Sequence, residues 1–147
     1  PENDENLILR NFLEENAYQY FAGSEKDVLG RFIGASKKLN TKYIQRLNCD
    51  NLLFNPIYMK RCYEFLDDSS DVYTNINHPN HSGSSIEIIR KEKCLLTRKP
   101  TDNESEHVFP YFYADEDLSI VRLQGPKEKV FPIDTESDFE KAKTFFK

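Results

Sequence analysis

Two aspartates are spaced to do chemistry together. Asp50 follows the short apolar run Tyr43-Ile44-Gln45-Arg46-Leu47, and Asp134 follows Lys129-Val130-Phe131-Pro132-Ile133. Each run reads as a strand, and each acid precedes a helical pattern. Ligands of α/β sheets sit at strand ends. Mg²⁺ needs only one or two protein carboxylates when substrate phosphates complete its shell. Two such acids converging at one rim would make a Mg²⁺ and phosphate site. The local alternative is that each acid simply ends a strand and caps the next helix. No glycine-rich phosphate loop accompanies them.

The remaining polar candidates are fewer. Arg46, one turn of chain before Asp50, offers a planar fork for a phosphate or a partner for a salt bridge. Glu87 is a lone acid in an apolar stretch, either buried and paired or facing a ligand. Glu106-His107 lies near a helix start, where surface and capping roles compete with a catalytic one. His78-Pro79-Asn80-His81 could look like a metal pair, but no Cys or acidic third ligand stands nearby. No Ser-His-Asp or Cys-His nucleophile arrangement can be read.

The totals bound the classes. A chain of 147 residues is expected to form one α/β domain over residues 1–147, large enough to bury a core. With a net charge of −5 and no long basic run, nucleic-acid binding is not expected. No apolar run approaches the roughly 18 residues that span a bilayer, so no membrane partner is expected. Cys49, Cys62 and Cys94 are odd in number and widely spaced, fitting neither a disulfide framework nor a zinc site. Reduced thiols in a cytoplasmic setting are the plain reading.

The elements that must position these residues follow from periodicity. Residues 4–17 carry helical spacing at Ile8, Leu9, Phe12, Leu13 and Ala17. Tyr18 to Phe21 reads as a short strand. Gly23-Ser24 opens a second helix with Ser24 as its cap, Tyr43 to Leu47 reads as a strand, and Pro56 fits the first turn of a third helix. Asp71 to Ile76, Ile86 to Ile89 and Leu118 to Leu123 read as further strands. Asn77 to Ser85 is polar and reads as a surface loop. Glu104 to Tyr113 reads as a helix that Pro110 bends or ends. Glu136 to Phe146 is a final helix, capped by Thr135 with Asp138 three residues on. The alternation predicts a three-layer fold, a mostly parallel sheet with helices on both faces. Tyr111, Phe112 and Tyr113 form an aromatic cluster suited to the core or to a homodimer interface.

Several segments, in order, resemble one family. Gly23-Ser24-Glu25-Lys26-Asp27-Val28-Leu29-Gly30-Arg31-Phe32 resembles the "GSEDDVLGRF" segment of the cytidylyltransferase-like proteins of spore coat and surface polysaccharide biosynthesis. Arg46-Leu47-Asn48-Cys49-Asp50, followed by Pro56, is similar to "RLTGDCPLIDP". Asp71 to Asn75 resembles "DYVSN", and Gly83 to Glu87 resembles "GLDVE". Glu106 to Tyr111 is similar to "EHVTPY", and Ile133 to Asp138 to "VDTPED".

The resemblance implies the nucleotide-diphospho-sugar transferase type of α/β fold, here without its first strand and phosphate loop. It implies CTP as substrate, transfer of CMP to a sugar or sugar acid, release of pyrophosphate, and Mg²⁺ held by Asp50 and Asp134. By the same resemblance Arg46 and Asn48 sit beside the nucleotide, and Glu87 and His107 face or support the sugar. Departures from the pattern are Cys49 for Gly, Asn48 for Thr and Ser85 for Asp. Two rival readings remain: a non-catalytic remnant or interaction module of the same fold, and a glycosyltransferase of the same fold class.

Overall fold

The computed structural model describes residues 1–146. Contacts sort them into two units: Pro1–Lys42 with Lys91–Glu116, and Tyr43–Arg90 with the segment from Asp117 onward. Among the described residues no helix is long and apolar enough to cross a membrane.

The second unit holds the sheet. Its strands are β1 (Tyr43–Arg46), β2 (Val72–Thr74), β3 (Glu87–Arg90) and β4 (Ile120–Arg122), in spatial order β1-β3-β2-β4. β3 pairs antiparallel with both β1 and β2, and only β2 and β4 run parallel. The expected mostly parallel sheet is therefore corrected to a mixed one. The reason lies between β2 and β3: a parallel pairing needs a crossover of a dozen or more residues, usually helical. Here residues 75–86 are a run of turns with no helix.

Those turns are not a free surface loop either. Gly83 takes a left-handed φ of 70°, and a Cβ there would lie 2.8 Å from the Phe131 carbonyl carbon. Ser84 is buried, and the His78 ring lies against Gly125.

The helix α3 (Pro56–Tyr63) starts where its residues say it should. The Asn55 side chain accepts from Ile57 N at 2.9 Å, and Pro56 occupies the first turn, where a missing N–H costs nothing. Its inner side carries Cys62 onto Tyr73, Ile86 and Ile88, with Tyr58 and Met59 packed alongside. Ile86 and Ile88 are fully buried, each contributing about 1.5–3 kcal/mol by leaving water.

Asn75, 1% exposed, ties these pieces together. Its Nδ2 donates to Tyr58 Oη and to the Ser84 carbonyl, both at 2.9 Å, and its Oδ1 accepts from Ile86 N at 2.8 Å. The Tyr58 hydroxyl in turn donates to the Gln124 carbonyl at 2.8 Å. Helix α6 (Glu136–Ala142) is closed by the expected capping box between Thr135 and Asp138, and a 3-10 turn (Lys143–Phe146) follows it. The strand expected at Lys129 to Ile133 does not form. Pro132 has no N–H to give a ladder, and the run carries no regular pairing.

The first unit is helical: α1 (Leu7–Glu15), α2 (Val28–Lys38), α4 (Asp102–His107) and α5 (Phe109–Tyr113). The strand expected at Tyr18 to Phe21 is absent, because its aromatic side chains fold back onto helices. Tyr18 stacks on Phe12 with centroids 6.4 Å apart, the Tyr20 hydroxyl bonds Glu14, and the Phe21 ring fills the space beside Gly34. Helix α2 opens at Val28 rather than at Ser24. Asp27 is its cap, accepting from Gly30 N at 2.8 Å. Its core is aromatic, with Phe32 edge-on to Phe109 at 5.9 Å. Tyr111 and Phe112 are buried here, so the aromatic cluster forms core rather than a dimer interface. The helix expected over residues 104–113 is broken at Val108, whose φ of 69° and ψ of −69° form a strained turn. Pro110 sits inside the first turn of α5.

Helix α4 begins with a capping box between Thr101 and Glu104. The Glu104 carboxylate also receives Arg98 Nη1 at 2.8 Å. The Arg98 fork, then the Thr101 N–H, hold its pKa down from 4.5 to about 2.

Two outcomes are expected. Asn75→Ala strips partners from buried Ile86 N and the Ser84 carbonyl and should cost about 3 kcal/mol. Tyr58→Phe removes two hydrogen bonds, the one from the Asn75 amide and the one to the Gln124 carbonyl, and should cost about 2 kcal/mol. Urea unfolding of the two variants checks the ranking. Because the folded pKa of Glu104 is depressed, its contribution is complete above pH 4.5 and fades as pH falls towards about 2. Glu104→Gln should therefore flatten the dependence of Tm on pH in that window, measured by calorimetry.

Candidate functional site

Two consecutive turns leave β1. They are closed by Asn51 N on the Asn48 carbonyl and by Phe54 N on the Asn51 carbonyl, each at 3.1 Å. They carry the chain from Arg46 to the Asn55 cap. Asn48 and Cys49 are exposed in the first turn, and Asp50 is half-buried at its end. The Asp50 carbonyl accepts from Ile133 N at 2.9 Å. That bond lays the segment carrying Asp134 beside the segment carrying Asp50, although 84 residues separate them in sequence. Asp134 itself is exposed.

The two carboxylates differ in setting. Asp50 Oδ1 is buried and has no hydrogen-bond partner among the described residues. A carboxylate oxygen withdrawn from water without a donor is costly, and a cation is the group that offsets the cost. The donor chemistry therefore fits a hard cation such as Mg²⁺. Among the described residues no group of three or more His, Cys, Asp or Glu could hold a metal. Two carboxylates alone would have to draw their remaining ligands from phosphate and water.

Arg46 and Glu87 face each other across the β1–β3 ladder, and Arg46 Nη1 lies 2.9 Å from Glu87 Oε2. Their side chains are 21% and 10% exposed. Of the two roles open to each in sequence, the pairing is the one made. A phosphate reaching Arg46 has to share the guanidinium with Glu87, and Glu87 fixes the fork's direction meanwhile. His107 belongs to the first unit, where it is exposed in the last turn of α4. His78 and His81 are spent on local turns: His78 Nδ1 accepts from Asn80 N at 3.1 Å, and His81 Nδ1 meets the His78 carbonyl at 2.7 Å.

The second unit also contains a cavity of about 680 Å³ between α3, residues 123–130 and the 3-10 turn Lys143–Phe146. None of Arg46, Asn48, Asp50, Glu87 and Asp134 lines it. Its walls include Tyr58 and Cys62, whose pKa values burial pushes up. Cys62 is thus a packed thiol rather than a nucleophile. All three cysteines are free. Sequence reasoning passed over Asn75 as a side chain. Its signals were its place in the strand-like run from Asp71 to Ile76 and in the segment that resembles "DYVSN".

No protein-family model matches the chain. It is 31% identical over 128 residues to an uncharacterized protein of Methanocaldococcus jannaschii, across 82% of this chain and 52% of that one. The chain thus spans about half the length of the curated relative it matches. Its fold is similar to that of a cytidylyltransferase from Leptospira borgpetersenii serovar Hardjo-bovis, with a TM-score of 0.83 and 22% identity, covering 97% of this chain and 64% of that one. The protein has an α/β fold with a mixed four-stranded sheet, of the kind found in that cytidylyltransferase.

Proposed function

We propose that this chain is part of a nucleotidyltransferase-like protein that activates a sugar or sugar acid with CTP for surface-glycan synthesis in the cytoplasm. In the reaction a sugar oxygen bonds to the α-phosphorus of CTP, the bond to the β-phosphate breaks, and pyrophosphate leaves. The observation that carries this reading is the Asp50 turn. Its buried, partnerless Oδ1 and its backbone bond to Ile133 bring one unsatisfied acid next to the segment of a second. The fold likeness to a cytidylyltransferase supports it.

Asp50 and Asp134 are the residues that would hold Mg²⁺, and Asn48 would lie beside the nucleotide. When bound, the metal supplies charge neutralisation for the triphosphate and the departing pyrophosphate. Arg46, aimed by Glu87, would bind a phosphate oxygen through the nitrogens that Glu87 leaves open. His107 enters this reading through the resemblance of Glu106-His107-Val108 alone, as a support for the sugar.

Two observations favour a second reading, a non-catalytic module of the same fold. Arg46 and Glu87 already satisfy each other, and Cys49 and Ser85 stand where the resembling segments have Gly and Asp.

Mg²⁺ and CTP, bound as one complex, should raise the Tm of the full-length protein, with about 2.7 kcal/mol of stabilisation when the complex is near 100 times its Kd. Asp50→Asn should abolish the Mg²⁺-dependent part of that rise while leaving the far-UV circular dichroism unchanged. Pyrophosphate release with acidic sugars then separates the readings. Binding without release under any sugar would leave the module, and no binding at all would end the nucleotide assignment.

A further inference from the structure

The cavity of the sheet-bearing unit has no part in the nucleotide reading, and it is built like a ligand site. All of its lining residues belong to that one unit. Its volume of about 680 Å³ falls in the range of small-molecule pockets. Helix α3 supplies one wall at helical spacing: Ile57, Tyr58, Arg61 and Cys62 lie at i, i+1, i+4 and i+5, and Phe65 follows one turn on. Phe145 and Phe146 of the last 3-10 turn supply another. Ile57, Phe65, Phe145 and Phe146 are 65–69% exposed. Large apolar side chains gathered and left open mark a binding surface. These four stand around a volume rather than on a flat patch, which suits a small molecule.

The polar groups of the inner wall are already engaged. Tyr58 Oη accepts from Asn75 and donates to the Gln124 carbonyl, and the Ser84 carbonyl accepts from Asn75. Burial favours the neutral forms of Tyr58 and Cys62. What this wall offers a ligand is apolar contact and ring surface. Charge stands on three exposed lining residues, Arg61, Lys127 and Glu128. None of their charged groups is hydrogen-bonded or ion-paired among the described residues. Two cations against one carboxylate leave a single positive charge in excess.

We infer that this cavity binds a small molecule with a flat aromatic body and a single negative charge. The body replaces water on the rings of Phe65, Phe145 and Phe146. The anionic group meets Arg61 and Lys127, and Glu128 works against a second negative charge on the ligand. The inference does not rest on the nucleotide reading, since Arg46, Asn48, Asp50, Glu87 and Asp134 line no part of the cavity.

Two fluorescent probes test it on the full-length protein, with circular dichroism and urea unfolding as controls for folding. Anilinonaphthalene sulfonate has the aromatic body and one negative charge, and phenylnaphthylamine has the same rings without the charge. Each titration should saturate at one probe per chain. Arg61→Gln/Lys127→Gln should weaken the sulfonate about fivefold and leave the amine unchanged. Glu128→Gln should tighten the sulfonate about twofold and again leave the amine unchanged. Phe65→Ser should weaken both probes. Phe12→Asp should change neither, although Ile8, Leu9 and Phe12 of α1 are also exposed. Absence of saturable binding, several probes per chain, loss of binding in Phe12→Asp, displacement of the probes by CTP, or a sulfonate affinity indifferent to the charge variants would each overturn the inference.

Discussion

The sheet-bearing unit depends on one buried amide. Asn75 follows β2 and its side chain joins three parts of the chain: α3 at Tyr58, the turns before β3 at Ser84, and the start of β3 at Ile86. Such a group is costly to bury and is stabilising only when its partners are all in place. Its value is therefore specificity. Apolar packing of Cys62 on Ile86 and Ile88 tolerates small slips, whereas an amide with three fixed partners does not. With β3 held in place, the ladder sets Arg46 opposite Glu87, so the amide and the ion pair read as one arrangement.

The Asp50 turn is a different kind of constraint. It is held by short-range backbone bonds at 48–51 and 51–54 and by one long-range bond from Ile133. The strand-end logic that first drew attention to the two acids holds for Asp50, four residues past β1. It fails for Asp134, since residues 129–133 before it form no strand. The two segments meet by a single backbone bond across a turn and not at the ends of adjacent strands. What the site has is therefore an unsatisfied acid and a neighbouring acidic segment, with the cation fork nearby already engaged by Glu87.

Local chemistry was legible in the sequence wherever one residue answers a neighbour. Pro56 announced the start of α3, and Thr135 with Asp138 announced the start of α6. Four strands were located to within a few residues from their apolar runs. Two other runs with the same appearance, Tyr18 to Phe21 and Lys129 to Ile133, formed no strand. The difference is the availability of a partner: β propensity describes a side chain suited to a pleated, half-buried surface, and it cannot say whether a neighbouring strand exists. At Tyr18 and Phe21 the helices α1 and α2 claimed the rings first. The aromatic trio at 111–113 likewise read as core or interface, and only packing against Phe109 decided for core.

By itself the sequence determined the starts of α3 and α6, the positions of the four strands that formed, the absence of a glycine-rich phosphate loop and the resemblance that named Asp50, Asp134, Arg46 and Glu87 together. These depend on neighbours within a turn or two, or on residue identity alone. Strand direction, the antiparallel course of β3, the Arg46–Glu87 pairing, the burial of Asp50 Oδ1 and the exposure of α1 were decided by tertiary structure. Each depends on which distant backbone group reaches a given atom first, and that competition is settled only when the chain closes on itself.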